Sequence, residues 1–172
     1  MKTTHALLAA TALVALGACA KKRPPVLPPP PQQSAQPYEA QPTGGDTTGA
    51  IRPGSAEDFK RSVQSDTVHF AVDQYDIDPE ARAILDGQAT WLARYPQVRV
   101  TIEGHCDERG TREYNLALGD RRANAAKNYL AAKGVDPSRM TTISYGKERP
   151  VALGSDEDSW AQNRRAVTVV LS

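Results

Sequence analysis

Cysteine is scarce in this 172-residue chain: only Cys19 and Cys106 occur, with three histidines, His5, His69 and His105. A disulfide-stapled scaffold is excluded, and with Cys19 and His5 set apart at the N-terminus no zinc site of about four ligands can be assembled. A charge excess is also missing. Lys plus Arg is 21 against 20 Asp plus Glu, and residues 1–18 hold one cation, Lys2, and no acid, so the remainder is balanced. A general nucleic-acid binder needs a basic surplus to meet phosphates. No apolar run reaches the roughly 18 residues that cross a bilayer, which excludes a polytopic membrane protein. Aromatics make up 6% of the chain, and nine of the 13 prolines crowd between Pro24 and Pro53. Part of the chain is therefore non-globular. The roughly 110 residues that follow suffice for one domain with one core, not for two.

The N-terminus reads as an address. Met1 to His5 carries one positive charge, and Ala6 to Leu16 is an eleven-residue run of Ala, Leu, Thr and Val. That length suits a signal-peptide hydrophobic region and is too short to span. The run ends in Leu16-Gly17-Ala18-Cys19, which resembles the lipobox of bacterial lipoprotein signals. The resemblance implies cleavage after residue 18 and lipidation of Cys19; the alternative is an ordinary signal peptide with a chance cysteine. More than one acyl chain is needed for stable anchoring, since each buried methylene contributes about 0.8 kcal/mol. Ala20, where a retention signal would place Asp, favours the outer membrane. Residues 19–60 are rich in Pro, Gln, Gly, Thr and Ser and bury too little to fold. They read as a flexible tether, its proline-rich part extended at about 3.1 Å per residue. A ligand for an SH3-like domain is the other reading of that part.

From residue 61 the pattern is that of a folded domain. Thr67 to Val72 alternates, with Val68, Phe70 and Val72 on one face of a strand. Asp78-Pro79 reads as an N-cap and first helical residue; Ala81, Ile84, Leu85, Gln88, Trp91, Leu92 and Tyr95 follow at helical spacing until Pro96. Val98 to Gly104 alternates again. A loop over His105–Glu113 leads into a helix over Tyr114–Lys133, closed by Gly134. Met140–Tyr145 and Ala166–Leu171 are further strands, with one helical turn near Asp158–Gln162 between them. The order β-α-β-α-β-β predicts an α+β fold of two layers: a sheet of about four mixed strands with two main helices on one face.

The loop and second helix carry the candidate chemistry. Asn115, Leu118 and Arg122 share one helical stripe; Leu116, Gly119, Ala123, Ala126 and Leu130 form the adjacent one, with small residues where the backbone must approach the sheet. The second stripe packs, and the first is free to face a ligand. Asp107, just past the second strand, brings a carboxylate toward the Arg122 guanidinium. A zwitterion fits such a gap, ammonium on Asp107 and carboxylate forked on Arg122. The plain alternative is a structural salt bridge between the two.

The stretch GHCDERGTREYNLALGDRRANAAKNYL resembles the signature of OmpA-like C-terminal domains, TD..G....N..LS..RA..V..YL, and the likeness continues through Gly134-Val135, Ser144-Tyr145-Gly146 and Asn163-Arg164-Arg165. It spans about residues 66–171. Cys106 stands where the family usually has Thr or Ala, and Gly119 where it has Ser. The resemblance implies a periplasmic, outer-membrane-anchored domain that binds peptidoglycan non-covalently through the free D-centre of meso-diaminopimelate, with no cofactor. By motif position Asp107 takes the ammonium and Arg122 the carboxylate, while Val72, Asp73, Arg109, Asn115 and Leu118 line the pocket. Arg164 or Arg165 completes it. A TolB-like periplasmic protein is the implied protein partner, on an overlapping surface. Two other classes stay open. Glu103, Asp107 and Glu108 could be the paired carboxylates of a cell-wall hydrolase, and His105-Cys106 a thiol centre; on a strand end these two point to opposite faces. The domain could also be an adaptor whose main ligand is a protein.

Overall fold

The computed structural model describes residues 51–171; the signal segment, Cys19 and the expected tether up to residue 50 lie outside the described residues. The elements are α1 (Ala56–Ser62), β1 (Thr67–His69), α2 (Pro79–Arg94), β2 (Arg99–His105), α3 (Arg112–Ala132), a 3-10 turn (Pro137–Arg139), β3 (Met140–Gly146), α4 (Glu157–Asn163) and β4 (Arg165–Leu171). The strands form one mixed sheet in the order β1-β4-β2-β3, with β2 parallel to β3 and antiparallel to β4, and β1 antiparallel to β4. This is the expected two-layer α+β architecture.

Local chemistry sets the helix ends. The Asp78 carboxylate accepts the Ala81 amide at 2.7 Å, and Pro79 opens α2. Thr111 caps α3 through the Tyr114 amide. Gly134, at φ 95°, ends it, with its amide on Ala131 and that of Val135 on Leu130. The core lies between the helices and one sheet face. Leu85, Leu92, Ala123 and Leu130 meet Val68, Val100, Ile102, Met140 and Val170 there, all buried. Gln88 is buried among them and satisfied on both sides: its amide donates to Ser65 and its carbonyl accepts from Thr168. A methyl group on Gly104 would overlap the Gly119 carbonyl, so α3 sits on β2 at a distance only glycine allows.

Three elements differ from the sequence expectation. The packed domain begins before residue 61: α1 is capped by Ser55 and docks through Phe59, edge-on to Trp91 at 4.9 Å. Strand β1 ends at His69 rather than Val72. Beyond the buried Phe70 the chain turns, with Asp73 at φ 56° and the Gln74 amide on the Ala71 carbonyl, and Val72 is left 45% exposed. The turn expected near Asp158–Gln162 is the two-turn helix α4.

Candidate functional site

The C-terminal end of β2 feeds a loop that crosses in front of the α3 N-terminus, and the turn after β1 closes the third side. Between them is a cavity of about 280 Å³ lined by Val72, Asp73, Cys106, Asp107, Arg109, Gly110, Tyr114, Asn115, Leu118 and Arg122. All seven residues expected from the sequence meet there. Cys106, Gly110 and Tyr114 were missed as lining. Gly110 signals itself only as a loop glycine; its φ of 84° turns the loop into the Thr111 cap. Tyr114 donates its hydroxyl to Asp73 at 3.1 Å, a contact between residues 41 apart that no local pattern announces.

Arg122 forms the floor. It is fully buried and donates to three backbone carbonyls: Gln74 at 2.8 Å, His105 at 2.9 Å and Ala71 at 3.1 Å. It thereby clasps the turn after β1 to the end of β2. All three acceptors are neutral, and a guanidinium has five N–H groups, so about two stay uncommitted. Burial holds its pKa below the usual arginine value. An unpaired buried cation is costly, and an incoming carboxylate relieves it.

Asp107 stands at the opposite pole and is also buried. Its partners are Arg109, at 2.6 and 3.2 Å, and Arg164, at 3.5 Å. No salt bridge joins it to Arg122, so the plain ion-pair alternative is not what the fold forms. Burial pushes the Asp107 carboxyl up, but hydrogen bonds from the Arg109 guanidinium and amide, with Arg164, outweigh it and hold the group below the usual carboxylate range. Arg164 is the member of its pair that reaches the site. Arg165 instead donates to Arg149 and Asn163 carbonyls.

The remaining side chains support this frame. The Asn115 amide donates to the Arg109 carbonyl at 2.7 Å and the Thr111 carbonyl at 3.1 Å, fixing the loop. Leu118 is buried and supplies an apolar wall. On the expected packing stripe Gly119, Ala123, Ala126 and Leu130 are buried and Leu116 is half-buried; Asn115, Leu118 and Arg122, on the adjacent stripe, are buried as well. Cys106 gives its thiol to the Asn115 carbonyl at 3.3 Å, and burial pushes its pKa up, so it is a small neutral lining group. His105 turns away, its ring 5.5 Å from Tyr145. Glu103 lies beside the His105 ring at 3.4 Å and Glu108 accepts from Trp160; neither lines the cavity. Among the described residues no group of three or more His, Cys, Asp or Glu could hold a metal, and no helix is long and apolar enough to cross a membrane.

These features define a two-layer α+β binding domain with oppositely charged, buried poles in one cavity. The OmpA family model matches residues 69–164. The peptidoglycan-associated lipoprotein of Agrobacterium fabrum is 48% identical over 165 residues, covering 96% of this chain and 86% of that one. That of Pseudomonas aeruginosa is 52% identical over 121 residues, covering 70% and 71%. The crystal structure of the peptidoglycan-associated lipoprotein from Burkholderia pseudomallei superimposes with a TM-score of 0.61 at 48% identity, over 62% of this chain and 91% of that one. The C-terminal domain of Helicobacter pylori MotB, at 20% identity and TM-score 0.58, over 62% of this chain and 84% of that one, is alike in fold. The chain belongs to the OmpA family and, within it, to the peptidoglycan-associated lipoproteins.

Proposed function

We propose that this domain binds peptidoglycan non-covalently and without catalysis, gripping the free D-centre of meso-diaminopimelate in the stem peptide. The observation that carries the reading is the arrangement of Arg122 and Asp107. A buried guanidinium with only neutral acceptors faces the cavity from below, and a buried carboxylate faces it from the loop. The ligand's carboxylate goes to Arg122 and its ammonium to Asp107. Leu118 and Val72 pack on its aliphatic chain, with Asp73, Arg109 and Asn115 shaping the rim and wall. Lipid on Cys19 holds the outer membrane, the proline-rich arm extends into the periplasm, and the domain links membrane to wall within a Tol-Pal system that supports envelope integrity and constriction at division. A TolB-like protein shares the surface. Many copies on one membrane gripping one polymer give firm attachment while single bonds exchange.

Co-sedimentation of the non-lipidated chain, residues 20–172, with purified sacculi tests this. The parent is expected to pellet with the wall, and Asp107→Ala to lose about 2–5 kcal/mol of affinity. A folded parent that stays in the supernatant overturns the reading and makes a protein the leading ligand. Release of soluble fragments from the sacculi would make the domain a hydrolase.

A further inference from the structure

Asp107, Arg109, Glu157 and Arg164 close into an alternating ring of four charges, of which the binding reading leaves Glu157 and Arg164 unused. Arg109 reaches Asp107 at 2.6 Å and Glu157 at 3.9 Å; Arg164 reaches Glu157 at 2.7 Å and Asp107 at 3.5 Å. The Nη1 of Arg164, in a side chain more than nine-tenths buried, makes no hydrogen bond and has only the 3.5 Å ion-pair contact with Asp107. Glu157 belongs to α4, outside the cavity, and its side chain is 60% exposed. Three residues on, the same helix face presents Trp160, whose ring lies 4.1 Å from the Arg109 guanidinium carbon. The indole N–H donates to Glu108 at 3.0 Å, which fixes the ring.

This ring poses a problem for any amine ligand. Arg109 already occupies both carboxylate oxygens of Asp107, one through Nε and one through Nη2. The Arg109 amide adds a third bond, on Oδ1, and Arg164 stands 3.5 Å from Oδ2, so the roughly four lone pairs of the carboxylate are all claimed and an arriving ammonium competes for them. Arg109 must cede at least one oxygen, and it can do so cheaply only where another anion and another surface receive the guanidinium. Glu157 and the Trp160 face are both already within reach.

We propose, on the basis of the binding reading above, that Glu157 and Trp160 are positioning residues that take up Arg109 when an amine binds Asp107. Helix α4 then sets how readily the site accepts the ammonium end of its ligand. A variant without Glu157 leaves Asp107 as the one carboxylate shared by both arginines, and a variant without the Trp160 ring removes the guanidinium's second seat; each makes Asp107 harder to engage.

Free meso-diaminopimelate titrated into ¹⁵N-labelled residues 20–172 tests the idea. The chain has two indole N–H groups, and Trp91, packed against Phe59 and Tyr95, is an internal control. The Trp160 indole signal is expected to shift with the same midpoint as the Asp107 and Arg109 amides, while that of Trp91 stays. Trp160→Leu should weaken binding about fivefold and Glu157→Gln about threefold, with Trp160→Phe, which keeps a ring, within about twofold of the parent. The proposal is overturned if the Asp107 and Arg109 amides titrate while the Trp160 indole is still and both variants bind as the parent does; the binding reading survives that result. Absence of any shift in a folded parent overturns both. Should Trp160→Leu fail to fold, the parent titration and the surface variant Glu157→Gln decide.

Discussion

Helix α3 crosses two unlike regions. Toward its C-terminus the buried side chains are Ala123, Ala126 and Leu130, packed on apolar strand residues. Toward its N-terminus they are Asn115, Leu118 and Arg122, and the facing loop buries Asp107 and Cys106. The first region is held by area removed from water and tolerates any neighbour of suitable size. The second is held by directed bonds whose partners are distant in the chain. Arg122 alone ties Gln74, Ala71 and His105 to α3. The core half supports the fold; the polar half keeps charges ready for a ligand at the cost of burying them.

That contrast can be broken from either side. The largest expected effect is in the core half: Leu130→Ala, at a side chain with no exposure, should cost about 2–5 kcal/mol of stability. Ligand affinity of the remaining folded fraction should be unchanged, as denaturant melts run beside sacculus binding would report. Arg122→Ala should cost about 2–3 kcal/mol of stability, because it strands the buried His105 carbonyl and unclasps those of Gln74 and Ala71, and should also abolish binding. Loss of affinity with an unchanged melt would mean that the carbonyl clasp is dispensable.

A smaller effect separates the two sides of the loop by pH. His105 is buried, neither ring nitrogen is hydrogen-bonded, and Glu103 lies 3.4 Å from Nε2; burial, followed by Arg165 and Arg149, outweighs that carboxylate and depresses the pKa from 6.5 to about 4. The unfolded chain therefore takes up this proton first, and stability falls as pH drops through the window between those two values. Lowering pH from 7 to 5 should cost about 2 kcal/mol, and His105→Phe should flatten that slope. Asp107 behaves differently. Its folded pKa is depressed below 3.8, so its contribution is intact above that value and is lost only as pH falls through the lowered one. The smallest expected change is the melting of Asp107→Asn, about 1–2 kcal/mol below the parent above pH 5, since the amide oxygen still accepts on one side while its NH2 group, a donor, loses the arginine bond on the other.

The two regions also differ in how far sequence revealed them. Helices α2 and α3, the central strands and the Gly134 cap are readable because apolar spacing and local capping chemistry act within a few residues. Helix α1 was not readable. It buries one large apolar side chain, Phe59, and owes its place to Trp91, whose indole donates to Asp58 across 33 positions. The early end of β1 was hidden for the same reason: alternation through Val72 favours a strand, but Arg122, 51 positions on, takes the Ala71 carbonyl. Seven of the cavity's lining residues were legible through the OmpA-like resemblance, while Cys106, Gly110 and Tyr114 were not. The mutual pairing of Asp107, Arg109, Arg164 and Glu157 was not, because it joins the loop after β2 to α4 and its C-terminal cap, two segments far apart in the chain.

The central claim is that one ligand carries both an ammonium for Asp107 and a carboxylate for Arg122. The most direct measurement is competition against sacculus binding by free meso-diaminopimelate, by its amide with the carboxyls blocked, and by its N-acetylated form. Displacement by the free compound, with both blocked forms at least about tenfold weaker, is the result expected. Equal displacement by all three, or by none while the domain still holds the wall, would contradict the two-pole site.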